Sequence, residues 1–357
     1  MEEGRADHSW EQRVGRRTLR PRVVLQIAAI AAVIVFAYRE RHLFTGFGSA
    51  MSSIGWYWVV PAFAAELASI VPLAEAQLII LRAGGVEAGR LEMNLVTLAS
   101  NAVSMSVPAG VAVAEGYTYS RYRRLGASRA VAAWSELASG ALAFAALAAV
   151  ALAGAVLAGG PAHGPVLAAL SVVAAGSFTA AALFRHPHTL IGGIEWIERH
   201  VGRRLGPIVA RAVGRVREIA NELTFTHPSI GTWLAAFWLS VANWMLDVAC
   251  LALSFEAVGG RIPWGAVLLA FAGSKVISSI GVTPGGLGLV EGGLIATFVA
   301  YGTTGSTAAA AVLVYRGLTF VGLVGLGWAA AAVLALRYGS SRAVTREPRE
   351  RRPGVRR

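Results

Sequence analysis

Three ionisable side chains sit in runs too apolar to solvate them. Lys275, the only lysine in the chain, lies in Ala272-Gly-Ser-Lys-Val-Ile-Ser-Ser279. Glu291 follows the break Pro284-Gly285-Gly286-Leu287-Gly288, and Arg316 lies in Leu313-Val-Tyr-Arg-Gly317. Charge is expensive in hydrocarbon, so such groups pair with one another or face a water-filled cavity. The Pro-Gly-Gly break adds a second kind of chemistry. Lipid offers no partners to backbone polar groups, so a break at membrane depth must be covered by protein or line a cavity. The helix ends it frees can hold ions or anionic head groups. In this reading Lys275 and Arg316 neutralise a phosphate, Glu291 orients one of them or takes a positive group, and Pro284 to Gly288 expose backbone donors. Two plainer readings stand beside it: a simple turn between ordinary spans, and an ion pair that locks a helical hairpin.

The first half carries its own polar set. Asn101, Ser104, Ser106 and Glu115 interrupt an apolar stretch that also holds Pro108 and Gly110. Glu66 and Glu75 fall on different sides of a straight helix, and Pro72 lies between them. Asn243 and Asp247 share one face of a later helix at i, i+4. The seven histidines fall in predicted loops, termini or the interfacial link, so no metal site is expected. No Gly-x-Ser-x-Gly elbow, phosphate-binding loop or dinucleotide fingerprint appears, so neither a catalytic residue nor a cofactor is expected.

These residues are positioned by a membrane protein. Hydrophobic residues make up 55% of the 357, charged residues 15%, and mean hydropathy is +0.58. A soluble domain is nearer a quarter charged. The net charge of +12 would suggest nucleic acid in a soluble chain, but here the arginines stand in short blocks between apolar runs. There they read as topology signals and contacts with anionic lipid, so no nucleic-acid partner is expected. Cys250, the single cysteine, excludes an intrachain disulfide.

Full spans are expected at 23–38, 56–80, 131–157, 165–184, 230–257 and 308–336. Arginines flank both ends of 93–115, with Arg82 and Arg90 before it and Arg121, Arg123, Arg124 and Arg129 after it. The positive-inside rule therefore predicts a re-entrant hairpin bent near Ser106 to Gly110, which leaves both flanks cytoplasmic. A second hairpin is expected around Pro284, opening to the other side. The predicted fold is an all-α polytopic integral membrane protein with about six full spans and two oppositely oriented re-entrant hairpins. Units 56–157 and 230–336 form an inverted repeat of the transporter type. A basic cytoplasmic N-terminus (1–22) precedes a single transmembrane domain (23–338), and a basic, disordered tail (339–357) follows it. Residues 185–228 read as an amphipathic basic helix on the cytoplasmic membrane surface, serving either lipid recruitment or simple docking. The even span count places both termini in the cytoplasm of a bacterial-type plasma membrane.

Pro284-Gly-Gly-Leu-Gly-Leu-Val-Glu291, followed by Tyr315-Arg316, resembles the lysylphosphatidylglycerol synthase transmembrane-region family. The first half is also similar, in Asn101, Pro108, Gly110 and the loop Tyr119-Ser-Arg-Tyr-Arg-Arg-Leu-Gly-Ala-Ser128. The resemblance covers roughly residues 23–338. It implies the flippase part of aminoacyl-phosphatidylglycerol proteins, here as a stand-alone member without the soluble aminoacyltransferase domain and hence without its synthetic activity. Many relatives place an Arg and a Gly-Glu pair just after the first-half proline, where this chain has Pro108-Ala-Gly-Val-Ala-Val-Ala-Glu115.

The expected function is a non-enzymatic, flippase-like transporter that moves an anionic phospholipid or polyprenyl-linked lipid between leaflets. Asn101 and Glu115 would line the side of the cavity opposite the second hairpin. The alternatives are a membrane accessory protein that binds lipid or a partner enzyme of envelope synthesis, and an intramembrane phospholipid-modifying transferase. An ion-coupled solute transporter also fits the repeats.

Overall fold

The computed structural model describes residues 54–107, 109–158, 228–279 and 283–344, with four helical positions between 171 and 179. The expected spans at 23–38 and 165–184, the link 185–228, and the two terminal segments lie wholly or almost wholly outside these residues. Among the described residues the regular structure is entirely helical. The helices are α1 (Trp56–Ala83), α2 (Arg90–Ser106), α3 (Gly110–Arg124), α4 (Arg129–Ala158), α5 (Ile230–Ala257), α6 (Trp264–Ser279), α7 (Leu289–Ala300), α8 (Gly305–Arg316) and α9 (Leu323–Val344). A 3-10 turn, Pro284–Gly286, separates α6 from α7, and a π-helical turn, Gly317–Gly322, joins α8 to α9.

Length and apolarity sort these elements. Four are long and apolar enough to cross a membrane: Trp56–Ala83, Arg129–Ala158, Ile230–Ala257 and the α8–α9 unit, Gly305–Arg337. The arms α2, α3, α6 and α7 have 17, 15, 16 and 12 residues. Each falls short of the roughly 20 residues a bilayer requires. They form the two hairpins, the arms of the first ending at Ser106 and starting again at Gly110, those of the second ending at Ser279 and starting again at Leu289.

Packing fixes their directions. The Gly55 amide donates to the Ala257 carbonyl at 2.7 Å, so α1 starts where α5 ends and the two run antiparallel. Trp134 meets Trp233 edge-to-face at 6.4 Å, and the Trp244 indole donates to the Ala143 carbonyl at 2.9 Å, so α4 and α5 run parallel. The first hairpin begins and ends at the end of the bundle where α4 starts. The second begins beside the C-terminus of α4, where Gly265 packs on Ala158. The hairpins therefore come in from opposite ends, and their tips meet where Gly285 touches the Met105 carbonyl.

The two units also exchange contacts. The first arm of each hairpin packs on the last span of the other unit: α2 on α9, and α6 on α4. A glycine makes each approach possible. A Cβ at Gly154 would stand 2.7 Å from the Leu268 Cβ, and one at Gly327 would collide with the Leu98 carbonyl. Between helices in lipid, close van der Waals packing of small residues replaces the hydrophobic drive available in water. The fully buried run Ala308 to Ala311 serves the same purpose in α8.

Candidate functional site

The second hairpin tip needs glycine. Gly285, Gly286 and Gly288 have φ of 56°, 70° and 83°, a region that side-chain-bearing residues rarely adopt. The turn consumes its own amides. Gly286 donates to the Thr283 carbonyl at 3.0 Å, Leu287 to the Pro284 carbonyl at 3.1 Å, and Gly288 to Glu291 Oε2 at 2.5 Å. Pro284 has no N–H to offer. Glu291 thus caps the start of α7, and its other oxygen accepts from Arg316 Nε at 2.5 Å. Arg316 Nη2 donates to the Gly285 carbonyl at 2.8 Å, and its guanidinium lies 5.3 Å from the centre of the Phe320 ring. The π-helical turn that starts at Gly317 places Phe320 against Gly285. Arg316, Glu291 and Gly285 form a buried clamp on the hairpin tip.

Lys275 belongs to a different cluster. Its ammonium pairs with Asp247 Oδ2 at 2.5 Å and lies over the rings of Phe271 and Trp244 at 4.9 and 5.7 Å. The other Asp247 oxygen accepts from the Tyr315 hydroxyl at 2.7 Å. Glu66, only 3% exposed, faces both Asp247 and Lys275. The constellation expected around the break is therefore two separate units: the Arg316–Glu291–Gly285 clamp and the Lys275–Asp247–Tyr315–Glu66 cluster.

A cavity of about 290 Å³ lies between the hairpins. Lys275, Ser278 and Ser279 line it from α6, Asn101 and Ser104 from α2, and Glu115 from α3. Glu66, Asp247 and Glu136 complete its ionisable wall, and Glu136 lies against Glu115. Of the sequence-predicted residues, Asn101, Glu115 and Lys275 thus meet here. Pro284, Gly285, Gly286, Gly288, Glu291 and Arg316 are not among the described lining residues. The polar face of the first hairpin is tied within itself and to α1: Thr118 donates to Ser100 at 2.8 Å, and Thr97 to Gln77 of α1 at 2.7 Å. Glu75 points away from the cavity and pairs with Arg90 at 3.1 Å.

The sequence pointed to Glu66 and Asp247 without joining them to Lys275, and it did not point to Glu136. The signal for the join was an acid and a base both placed in apolar spans, where each requires a partner. Among the described residues no group of three or more potential ligands could hold a metal ion.

Two short hairpins entering from opposite ends of a helical bundle that has four membrane-spanning-length apolar helices among the described residues define an all-α polytopic membrane protein. Residues 23–327 match the family of the lysylphosphatidylglycerol synthase TM region, and the chain belongs to that family. Over 124 residues it is 30% identical to a UPF0104 membrane protein of Methanothermobacter thermautotrophicus, a match covering 35% of each chain. A second match to a UPF0104 membrane protein of that organism is 31% identical over 109 residues, 30% of this chain and 29% of the other. The chain thus spans about a third of the length of the curated relatives it matches.

Proposed function

We propose that the protein is a flippase-like transporter that passes a lipid head group through the cavity between its hairpin tips while the acyl chains stay in the bilayer. One observation carries this reading: residues from both hairpins and from α1, α4 and α5 converge on a single polar cavity in an otherwise apolar bundle. The wall sets the head-group chemistry. It carries the carboxyls of Glu66, Glu115, Glu136 and Asp247 against the one ammonium of Lys275. Arg316 already serves Glu291 and the Gly285 carbonyl. A phospholipid or polyprenyl-linked lipid that bears an amine beside its phosphate suits that balance better than a purely anionic one. The arginine blocks argue for a plasma-membrane location with both termini cytoplasmic.

The test is lipid movement in proteoliposomes, comparing phosphatidylethanolamine with phosphatidylglycerol for wild type, Asp247→Asn and Asn101→Leu. Movement of the amine-bearing lipid by wild type and its loss in both folded variants is the expected result. If wild type moves no lipid across a broad panel, autonomous transport is wrong, and the protein becomes an accessory to an envelope-synthesis enzyme. If a chemically altered lipid accumulates instead, it is a transferase.

A further inference from the structure

Glu66 presents a charge problem that the protein alone does not solve. It lies on α1 in the wall of the cavity, 3% exposed, and among the described residues its Oε2 has no hydrogen-bond partner. The described groups around it come from α2, α3, α4, α5, α6 and α8. Asp247 comes from α5, with both oxygens engaged, and Lys275 comes from α6, paired with Asp247. Tyr315 from α8 donates to Asp247, and the Cys250 thiol of α5 lies nearby. Across the cavity stand Glu136 on α4 and Glu115 on α3, both acids, while α2 contributes only neutral groups such as Thr97 and Asn101. One ammonium cannot neutralise two adjacent carboxylates. A buried carboxylate with an empty acceptor, beside another carboxylate, calls for one further positive charge.

We propose that Glu66 is a proton-exchange site that couples head-group movement to a proton gradient. This rests on the transport reading above. With the cavity empty, a proton on the Glu66 carboxyl satisfies the site. When a head-group amine enters, its positive charge takes that place: the O–H bond of Glu66 breaks, and the proton passes to water on the side the cavity then faces. No covalent bond to the lipid forms, and no electron is transferred. Proton and amine exclude one another at a single carboxylate, and mutually exclusive occupancy is the minimal device for exchange. Lys275 is paired with Asp247, and Glu66 is the carboxyl beside that pair whose Oε2 is left without a partner among the described residues.

Two measurements test this, one with transport and one without. In the first, purified protein in phosphatidylcholine vesicles doped with phosphatidylethanolamine receives a one-unit pH gradient. An impermeant amine reagent then counts the outer-leaflet lipid. One-for-one exchange shifts the wild-type leaflet ratio toward the roughly tenfold limit set by the proton activity. Where wild type moves the lipid, a ratio indifferent to the gradient, or a gradient-driven ratio in Glu66→Gln, overturns the proposal; Glu66→Asp should retain the response. In the second, infrared spectra of the same protein without a gradient should show a protonated carboxylic acid band that falls when phosphatidylethanolamine is added. The buried Glu136 can add a band of its own, so the diagnostic signal is the part that falls with lipid: it should be missing in Glu66→Gln and present in Glu66→Asp. If wild type moves no lipid but shows this behaviour, transport of that lipid fails while the proton site stands. If no lipid-sensitive band is seen in wild type, or the same lipid-sensitive band survives in Glu66→Gln, Glu66 does not hold the proton, and the proposal falls whatever the transport result.

Discussion

The two hairpin tips solve the same problem by different means. The second tip is built from glycines in left-handed conformations and fastened by a buried ion pair: Arg316 to Glu291 and to the Gly285 carbonyl. The first turns between Val107 and Ala109, and Ala109 adopts φ 54° without being glycine. Its hydrogen bonds are lighter: Ser106 donates to the Ala102 carbonyl at 2.6 Å, and the Trp328 indole donates to Ser106 at 3.0 Å. No ion pair fastens it among the described residues. The contrast separates two jobs. The clamped tip is a fixed abutment whose polar groups satisfy one another. The first hairpin turns Asn101, Ser104 and Glu115 to the cavity, and on the transport reading proposed above it is the side that shifts when a head group enters.

The sharpest way to break this contrast is to open the clamp. Arg316→Ala leaves the Glu291 carboxylate and the Gly285 carbonyl buried without their cation. Removing one partner of a buried pair typically costs about 3–5 kcal/mol. The side chains of Arg316 and Glu291 are only 10% and 16% exposed, so that range applies here. The expected outcome is a large fall in thermal stability in detergent. The double variant Arg316→Met, Glu291→Leu should recover much of it, because no uncompensated charge remains. A single variant as stable as wild type would show that the second tip is no better fastened than the first.

Gly110→Ala probes the other tip. A Cβ there would overlap the Ser104 carbonyl, a backbone atom that cannot rotate away. Overpacking of this kind costs about 1–3 kcal/mol. The effect should appear as reduced stability together with weaker lipid-dependent stabilisation, since Ser104 lines the cavity. Loss of stability with lipid stabilisation untouched would mean that the first tip does not shape the site.

How much of this was legible follows from the same residues. The two breaks could be read because proline, glycine and polar side chains are conspicuous in apolar runs. The arginine blocks on both flanks of 93–115 forced a hairpin, and α2 and α3 are that hairpin. The limits were less exact: the first hairpin was read at 93–115, and its arms run Arg90–Ser106 and Gly110–Arg124. The pairing of charges was not legible. Lys275, Glu291 and Arg316 stand close in sequence, yet Lys275 reaches back to Asp247 on α5 because α5 and α6 bring those faces together. Nor does sequence say that the turn would engage the amides of Gly286, Leu287 and Gly288. That depends on φ at three glycines and on the reach of Glu291. Spacing specified which groups needed partners, and only packing chose them.

The smallest effect has the opposite sign and sharpens the comparison from the other side. Ala109 is the one residue other than glycine with positive φ among the described residues, at the N-terminus of α3. A left-handed conformation costs an alanine about 1–2 kcal/mol, which glycine largely avoids. Glycine also has more freedom to lose on folding, by roughly 0.5–1 kcal/mol. The net expectation for Ala109→Gly is therefore stabilisation by up to about 1 kcal/mol, measurable as a small rise in the detergent unfolding midpoint. If the first hairpin must shift when a head group enters, the strain at Ala109 helps hold it ready to move, and relieving that strain should slow lipid movement even as stability rises. Stabilisation with unchanged transport would mean that the first tip is as static as the second, and that they differ in construction alone.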